Sequence, residues 1–231
     1  MCTTFNGRYM LQPATIKFLK DLKKNNHKEW FDANRKRYDA AKEDFAGLVK
    51  KVIELHGKKD ETIASLLPKE CTFRINRDIR FSKDKTPYKT NFGASFNRGG
   101  KKSIFAGYYL HCEAGGESFV GGGLWLPEAE HLKKVRQEID YSFDEFSKII
   151  GNKKFVSTYK ELYTGEDSKL SREPKGYEKD NPAIEYIKLK NYLAMQPLTE
   201  AELTSPGLLK KIGQAFETLQ PLLMFINRAM E

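Results

Sequence analysis

The stretch from Ile104 to Leu126, IFAGYYLHCEAGGESFVGGGLWL, decides the fold. Every second residue of its first part belongs to one face, and that face holds Ile104, Ala106, Tyr108, Leu110 and Cys112. A period of two is typical of a β-strand with one side in the core. Ala114-Gly115-Gly116 then predicts a turn into a second strand. The two strands would cover Ile104–Glu113 and Ser118–Leu126 and pair antiparallel.

Working outward, three more segments alternate in the same way and predict further strands. They lie near Thr72–Asn76, Asn91–Asn97 and Ile187–Gln196. Apolar residues spaced three and four apart predict helices near both chain ends, from Pro13 to Asn25, from Lys28 to His56, and from Leu208 onward. The predicted fold class is α+β, with a mainly antiparallel sheet of about five strands covered by N- and C-terminal helices. We expect a single domain over residues 1–231.

Two helix starts also carry the capping-box pattern, in which a hydroxyl and a carboxylate three residues later each accept from the other's backbone amide. The pairs are Ser142 with Glu145 and Thr199 with Glu202.

The composition excludes several classes of protein. Of 231 residues, 39% are hydrophobic and 12% are aromatic, which supplies a core and excludes an intrinsically disordered chain. The longest uncharged runs, such as Ser118–Pro127 and Thr218–Asn227, are about half as long as a bilayer-spanning helix, so we expect no membrane segment. Forty Lys and Arg against 31 Asp and Glu give a formal net charge of +9.

The cysteines and histidines show no spacing typical of metal sites or disulfide frameworks. Cys2, Cys71 and Cys112 form no C-x-x-C pair, and the four histidines form no H-x-x-x-H pair. We therefore predict no metal and reduced thiols. The first ten residues also lack the apolar core of a secretory signal, so a cytoplasmic location is expected. The sequence does not identify a cofactor, a reaction type or an oligomeric state.

The most basic segment runs from Phe73 to Lys89, FRINRDIRFSKDKTPYK, with six cations against the carboxylates of Asp78 and Asp84. Its three arginines are three apart and would stand on one side of a tight helical turn. Converging arginines hold a multiply charged anion by bidentate hydrogen bonds. We therefore predict a cleft for a small ligand bearing phosphate or carboxylate, lined by Arg74, Asn76, Arg77, Arg80, Lys85, Tyr88 and Lys89. Asp78 is the candidate catalytic base.

At least three of the five predicted ligand cations, Arg74, Arg77, Arg80, Lys85 and Lys89, are expected to converge on a surface cleft. Two other interpretations of the segment stay open. Asp78 and Asp84 could pair with neighbouring cations in a purely structural network with no ligand. The same patch could instead bind nucleic acid, in keeping with a pI near 9.2. Nucleic acid is not favoured, because the chain has no helix-turn-helix, RNP, KH or zinc motif.

The same segment resembles a bacterial and fungal family of conserved hypothetical proteins, domain-of-unknown-function family 2461. The resemblance rests on Phe73–Phe81 and Asp84–Lys89 and covers nearly the whole chain from about Phe18. Its flanking matches are Asn25-Asn26, Glu29-Trp30-Phe31, Gly122-Gly123, Trp125, Pro127, Arg136 and Pro174-Lys175-Gly176-Tyr177. The resemblance implies a single cytosolic α+β domain. It implies no activity, cofactor or catalytic residue.

Two further features give expectations about packing. Gly121-Gly122-Gly123 could cradle a phosphate on bare backbone amides, but a strand bulge or close packing is the favoured interpretation. Trp30, Phe31, Phe73 and Phe81 are expected to lie close together, because the helix that carries Trp30 has to bury its ring and the basic segment offers apolar partners.

Overall fold

The computed structural model describes residues 9–165 and 167–231, so Cys2 lies outside the described residues. The helices near the N-terminus are α1 Pro13–Lys24, α2 Lys28–Ala33, α3 Arg35–His56, α4 Glu61–Ala64 and α5 Pro68–Cys71. The later helices are α6 Ala129–Tyr141, α7 Phe143–Ile150, α8 Lys153–Tyr159, α9 Ile184–Ile187, α10 Glu200–Leu203 and α11 Leu208–Met230. No helix in this described part combines the length and the apolar character that crossing a bilayer requires.

In the described part of the chain, four strands form one antiparallel sheet in the order β1-β2-β3-β4. They are β1 Asn91–Phe96, β2 Gly107–Glu113, β3 Phe119–Leu124 and β4 Tyr192–Pro197. The predicted α+β class is confirmed, with four strands rather than five. The missing strand is Thr72–Asn76, which makes only single bridges, from Thr72 to Ala94 and from Asn76 to Tyr88. Its two ends pair with different partners, so no continuous ladder forms.

Two predicted strands begin later than expected because other bonds occupy their first residues. The Asn227 carboxamide bonds both the amide and the carbonyl of Ala106, at 2.8 and 3.1 Å, so β2 starts at Gly107. The predicted strand from Ile187 begins with helical bonding instead. The amide of Ile187 donates to Ala183 and that of Lys188 to Ile184, which makes this part α9.

The predicted helix from Lys28 to His56 is broken at Asn34. Asn34 has φ −108° and ψ 19°, and its side-chain amide donates to the carbonyl of Trp30 at 2.9 Å. A short polar side chain of this kind competes with the backbone for helical hydrogen bonds. The result is a six-residue α2 followed by a 22-residue α3.

Of the two predicted capping boxes, one forms. Thr199 and Glu202 make both reciprocal bonds at the start of α10. The box at Ser142 is wrong, because its hydroxyl donates to Glu138 at 3.1 Å and makes no cap bond to α7. Ser142 directly joins α6 to α7, so Glu138 lies one turn away.

The alternation of β1 and β2 gives the sheet two different faces. One face is buried and carries Phe92, Ala94, Phe96, Tyr108, Leu110 and Cys112. The opposite face carries polar and aromatic residues that are only partly buried, namely Asn91, Ser95, Tyr109, His111 and Glu113. This second face is where chemistry-bearing side chains can meet a ligand.

By its internal contacts the chain divides into two compact units. The first comprises residues up to Lys101, Tyr109–Val120 and Pro197–Gln214. In it α1 packs against α3, which buries Leu19, Leu22, Leu48 and Val52. The free thiols of Cys71 and Cys112 are also buried here, and burial raises the pKa of Cys71 to about 12.

The second unit comprises Lys102–Tyr108, Gly121–Gln196 and Ala215–Glu231. Its core includes the rings of Phe146 and Phe225, whose centroids are 5.4 Å apart. Tyr159 is buried and donates from its hydroxyl to the carbonyl of Ala215 at 2.5 Å. A single domain over residues 1–231 stays a prediction.

Four aromatic residues were expected to lie close together, and the expectation is wrong for Phe81, whose surface is 94% exposed. Phe31 stacks on Tyr88 with centroids 3.9 Å apart, and Trp30 stacks on Phe18 at 6.1 Å. Phe73 is 38% exposed and pairs with Tyr109 at 6.3 Å. Tyr88 thus takes the position beside Phe31 that was expected for the phenylalanines of the basic segment.

The glycine run in β3 lets neighbouring strands approach closely. A Cβ at Gly121 would overlap the carbonyl oxygen of Ala194, and one at Gly123 would overlap that of Tyr192. Gly123 also has φ 130°, a conformation that favours glycine. Close strand packing explains the run, and no phosphate cradle is needed to account for it.

Replacing Gly123 with Ala should lower the free energy of unfolding by about 3 kcal/mol, because backbone strain and a clash with the β4 backbone combine. Gly116→Ala is the matched control. Gly116 also has a positive φ, 88°, but no atom of the described residues lies within 4 Å of its Cβ position. The Gly116→Ala variant should lose about 1 kcal/mol of the free energy of unfolding. Urea denaturation measures both, and equal losses would contradict the packing argument.

Candidate functional site

The basic segment forms two paired stretches, residues 73–76 and 88–89, which a loop joins. We call these stretches the legs of the segment. Asn76 bridges Tyr88, the amide of Arg77 donates to Pro87 at 2.9 Å, and the amide of Lys89 donates to Ile75 at 2.8 Å. We call residues 77–87 the motif loop. The loop contains no helix, so the expected placement of its arginines on one side of a helical turn is wrong.

Arg77 is directed into the motif loop and holds it together. Its guanidinium donates to the Asp84 carboxylate, to the Thr86 hydroxyl and, at 3.2 Å, to the Thr86 carbonyl. The Asp84 carboxylate also accepts from the Thr86 amide at 2.9 Å. The bond from the Thr86 amide, followed by that from Arg77, lowers the pKa of Asp84 to about 2. Arg77 therefore has a carboxylate partner and a structural role.

Arg80 and Lys85 also have partners inside the loop. Arg80 donates to both oxygens of Asp78, at 2.9 and 2.7 Å, and Lys85 donates to the carbonyl of Ile79 at 3.0 Å. The bond from Arg80 holds the pKa of Asp78 below its ordinary value. A carboxylate that is ionised and paired in this way is a weaker proton acceptor, so the geometry adds no support for Asp78 as a catalytic base.

Tyr88 and Asn76 shape the legs of the segment. Tyr88 is 7% exposed, with its ring against Phe31. Its backbone amide and carbonyl are both bonded by the Asn26 carboxamide, at 3.1 and 2.8 Å. Asn76 is exposed at the bridge opposite Tyr88. The burial of Tyr88 leaves little of its ring for a ligand.

Arg74 and Lys89 are the two predicted site residues that line a common cleft. The cleft has a volume of about 140 Å³ and is bounded by Phe73, Arg74, Lys89, Asn91, Gly93 and Tyr109. We call it the β1–β2 cleft. Within the described residues, no carboxylate oxygen lies within 4.0 Å of the charged groups of Arg74 or Lys89. The structure therefore brings together two of the five predicted cations rather than three.

The environment of Lys89 is apolar on one side and cationic on the other. Its Nζ lies 5.4 Å from the centroid of the Phe73 ring. Burial, followed by the charge of Arg74, lowers the pKa of Lys89. Two cations that line one cleft repel each other unless an anion offsets their charge.

A chain of polar side chains continues from the cleft along the same face of the sheet. Asn91 lies 3.4 Å from Nδ1 of His111, and Nε2 of His111 lies 3.1 Å from Glu113. Burial alone would raise the pKa of Glu113, but hydrogen bonds from His111 and Thr90 outweigh it and lower that pKa. His111 also stacks on Phe119 with centroids 5.0 Å apart. Both ring nitrogens of His111 thus have partners.

The sequence reasoning missed Asn91, Gly93 and Tyr109 as cleft residues. The available signal was the alternation of the strands, since Tyr109 has the opposite parity to the core residues Tyr108 and Leu110. Among the described residues, no group of three or more His, Cys, Asp or Glu is arranged to hold a metal ion.

The family model described as conserved hypothetical protein, DUF2461, matches residues 14–225. The chain belongs to this family. Searches of curated proteins and of solved structures returned no match. The family description carries no activity, so any function has to be argued from the cleft itself.

Replacing Arg77 with Ala should raise the pKa of Asp84 from about 2 toward its ordinary 3.8. It should stop short of 3.8, because the Thr86 amide remains. A carboxylate with a lowered pKa stabilises the fold above its unfolded pKa and loses that contribution as the pH falls through its folded pKa. As the pH falls, the variant should therefore lose the stabilising contribution of the Asp84 carboxylate at a higher pH than the wild type.

Titration of the side-chain carboxyls by NMR measures this change. Arg80→Ala is the control, because it should raise the pKa of Asp78 and leave that of Asp84 where it is. An unaltered Asp84 pKa in the Arg77 variant would mean that Arg77 does not hold the loop.

Proposed function

We propose that the protein binds a small anion, a carboxylate or a phosphate group, in the β1–β2 cleft. The observation that carries this proposal is the pair of cations, Arg74 and Lys89, which share one cleft and make no ion pair with a carboxylate among the described residues. Arg77 and Arg80, in contrast, are matched with Asp84 and Asp78. Arg74 and Lys89 therefore carry charge that no carboxylate matches, in a cleft that a ligand can reach.

The chemistry of the cleft suits an oxyanion. Arg74 offers a planar fork of donors, and Lys89 adds a compact charge. Asn91 and Tyr109 add neutral donors, and burial raises the pKa of Tyr109 to about 12, which keeps its hydroxyl protonated at neutral pH. A volume of about 140 Å³ admits a phosphate group or a short carboxylic acid.

The structural-network interpretation applies to a different part of the segment. Arg77, Arg80 and Lys85 bond within the motif loop and give it its shape. Their bonds support a network there, whereas Arg74 and Lys89 lie at the legs, beside the sheet. One segment thus supplies both a built loop and a pair of cations for a ligand.

In a thermal-shift experiment, inorganic phosphate should raise the melting temperature of the wild type, because a ligand of the folded state stabilises it by mass action. Arg74→Ala and Lys89→Ala should abolish the rise, and Arg74→Lys should restore only part of it. Lys83→Ala is the matched control. It removes one cation from an exposed position of the motif loop, outside the cleft, and should keep the full response.

Each outcome has a defined meaning. A response lost equally in the Lys83 variant would show a general charge effect and contradict a cleft site. Tight binding of single-stranded DNA or RNA that weakens steeply with salt, without a phosphate response, would favour the nucleic-acid hypothesis.

A further inference from the structure

A second and larger cleft lies in the second compact unit, where residues of α7, α9 and the chain between them line it. We call it the α7–α9 cleft. Its volume is about 370 Å³, and it shares no lining residue with the β1–β2 cleft. Small-molecule sites in proteins have volumes of about 300–1,000 Å³. Part of the wall is apolar and consists of Phe143, Ile150, Leu162, Tyr186 and Leu189.

This apolar wall is suited to a hydrocarbon side chain. The rings of Phe143 and Tyr186 have centroids 6.1 Å apart, and both residues are only partly buried. Leu162 and Leu189 line the same cleft but are almost fully buried, so the apolar wall continues below the surface. A ligand that covers such a wall is stabilised by the apolar area that it removes from water.

Four charged side chains line the α7–α9 cleft, and two of them are matched with each other. Lys169 makes an ion pair with Glu185. Lys160 and Glu161 make no ion pair within 4.0 Å among the described residues. The unmatched charges of the lining are therefore one ammonium and one carboxylate on consecutive residues. Such a pair complements a ligand that carries both charges, and it offers no net attraction to a simple anion or cation.

The backbone presents these two residues on a strained turn. Lys160 has φ 67° and ψ −63°, and the amide of Glu161 donates to the carbonyl of Tyr159 at 2.9 Å. These values describe a γ-turn of the rare kind that non-glycine residues adopt only at a cost. Backbone strain of this sort is concentrated at ligand sites and persists only where the surrounding structure enforces it.

Buried anchors on both sides of the turn enforce it. Before the turn, Tyr159 is 4% exposed and its hydroxyl donates to the carbonyl of Ala215 at 2.5 Å. After the turn, Leu162 is 3% exposed, and the amide of Tyr163 donates to the carbonyl of Leu193 at 2.7 Å. The chain between these anchors is therefore held with its two charged residues at the cleft.

We propose that the α7–α9 cleft binds a free α-amino acid with an apolar side chain. The ammonium of Lys160 binds the carboxylate of the ligand, and the carboxylate of Glu161 binds its ammonium. The side chain of the ligand lies against the apolar wall. This site is independent of the anion site in the β1–β2 cleft, so either proposal can fail without the other.

Isothermal titration calorimetry of the full-length protein tests the proposal with L-phenylalanine, whose ring can pack against those of Phe143 and Tyr186. We expect one site per chain. Three analogues each lack one recognised group: phenylalaninamide lacks the carboxylate, 3-phenylpropionate lacks the ammonium, and serine lacks the apolar side chain. Each should bind about tenfold more weakly or worse.

Variants test the assigned residues. Lys160→Ala and Glu161→Gln should each weaken L-phenylalanine binding about tenfold, the loss expected for one charge-assisted hydrogen bond. Lys160→Gly should weaken it equally and melt no lower than Lys160→Ala, because glycine adopts a positive φ without strain. Lys154→Ala is the matched control. It removes an exposed lysine of α8 that does not line the cleft and should keep the wild-type affinity.

Three results would overturn this inference: no binding of L-phenylalanine to the wild type, equal binding of phenylalaninamide or 3-phenylpropionate, or wild-type affinity in both Lys160→Gly and Glu161→Gln. An equal loss in Lys154→Ala would also contradict it, because that lysine lies outside the cleft. The phosphate response of the melting temperature reports separately on the proposed function, since neither Lys160 nor Glu161 lines the β1–β2 cleft.

Discussion

The two hydrogen bonds between the Asn26 carboxamide and the backbone of Tyr88 are the constraint on which the rest of the site depends. They join residues 62 positions apart, at 2.8 and 3.1 Å, and act on Tyr88 as a neighbouring strand would. The Tyr88 ring then stacks on Phe31 of α2. Because Lys89 follows directly, this anchor sets where the amine enters the sheet face.

The anchor also explains why the cations of one short segment have different roles. Pairing of the legs at Asn76 and Tyr88 closes residues 77–87 into a loop, and within that loop each acid lies close to an arginine. Arg74 lies before the bridge and Lys89 after it, so both fall outside the loop and beside β1. The two carboxylates pair with arginines inside the loop, and two of the four cations left over, Arg74 and Lys89, line the β1–β2 cleft.

The fold was largely predictable, because alternation in β2 and β3 and helical spacing at the chain ends are local properties of the sequence. Asn34 shows a limit of prediction from local sequence. The hydrogen bond from its side-chain amide to the Trp30 carbonyl ends α2, although asparagine also occurs within helices. The site was predictable only in part. Arg74 and Lys89 stand out by charge, but the pairing of Arg77 with Asp84 depends on the register of the legs. Tyr109 lines the same cleft as Lys89 only because β1 and β2 are neighbours.

A crystal structure of the protein grown with phosphate tests the central claim most directly, namely that Arg74 and Lys89 bind an anion in the β1–β2 cleft. The account predicts a phosphate between the guanidinium of Arg74 and the ammonium of Lys89, with Arg77 still bonded to Asp84. A structure in which Arg74 and Lys89 are each paired with a carboxylate of the chain, and in which the cleft holds no phosphate, would contradict it.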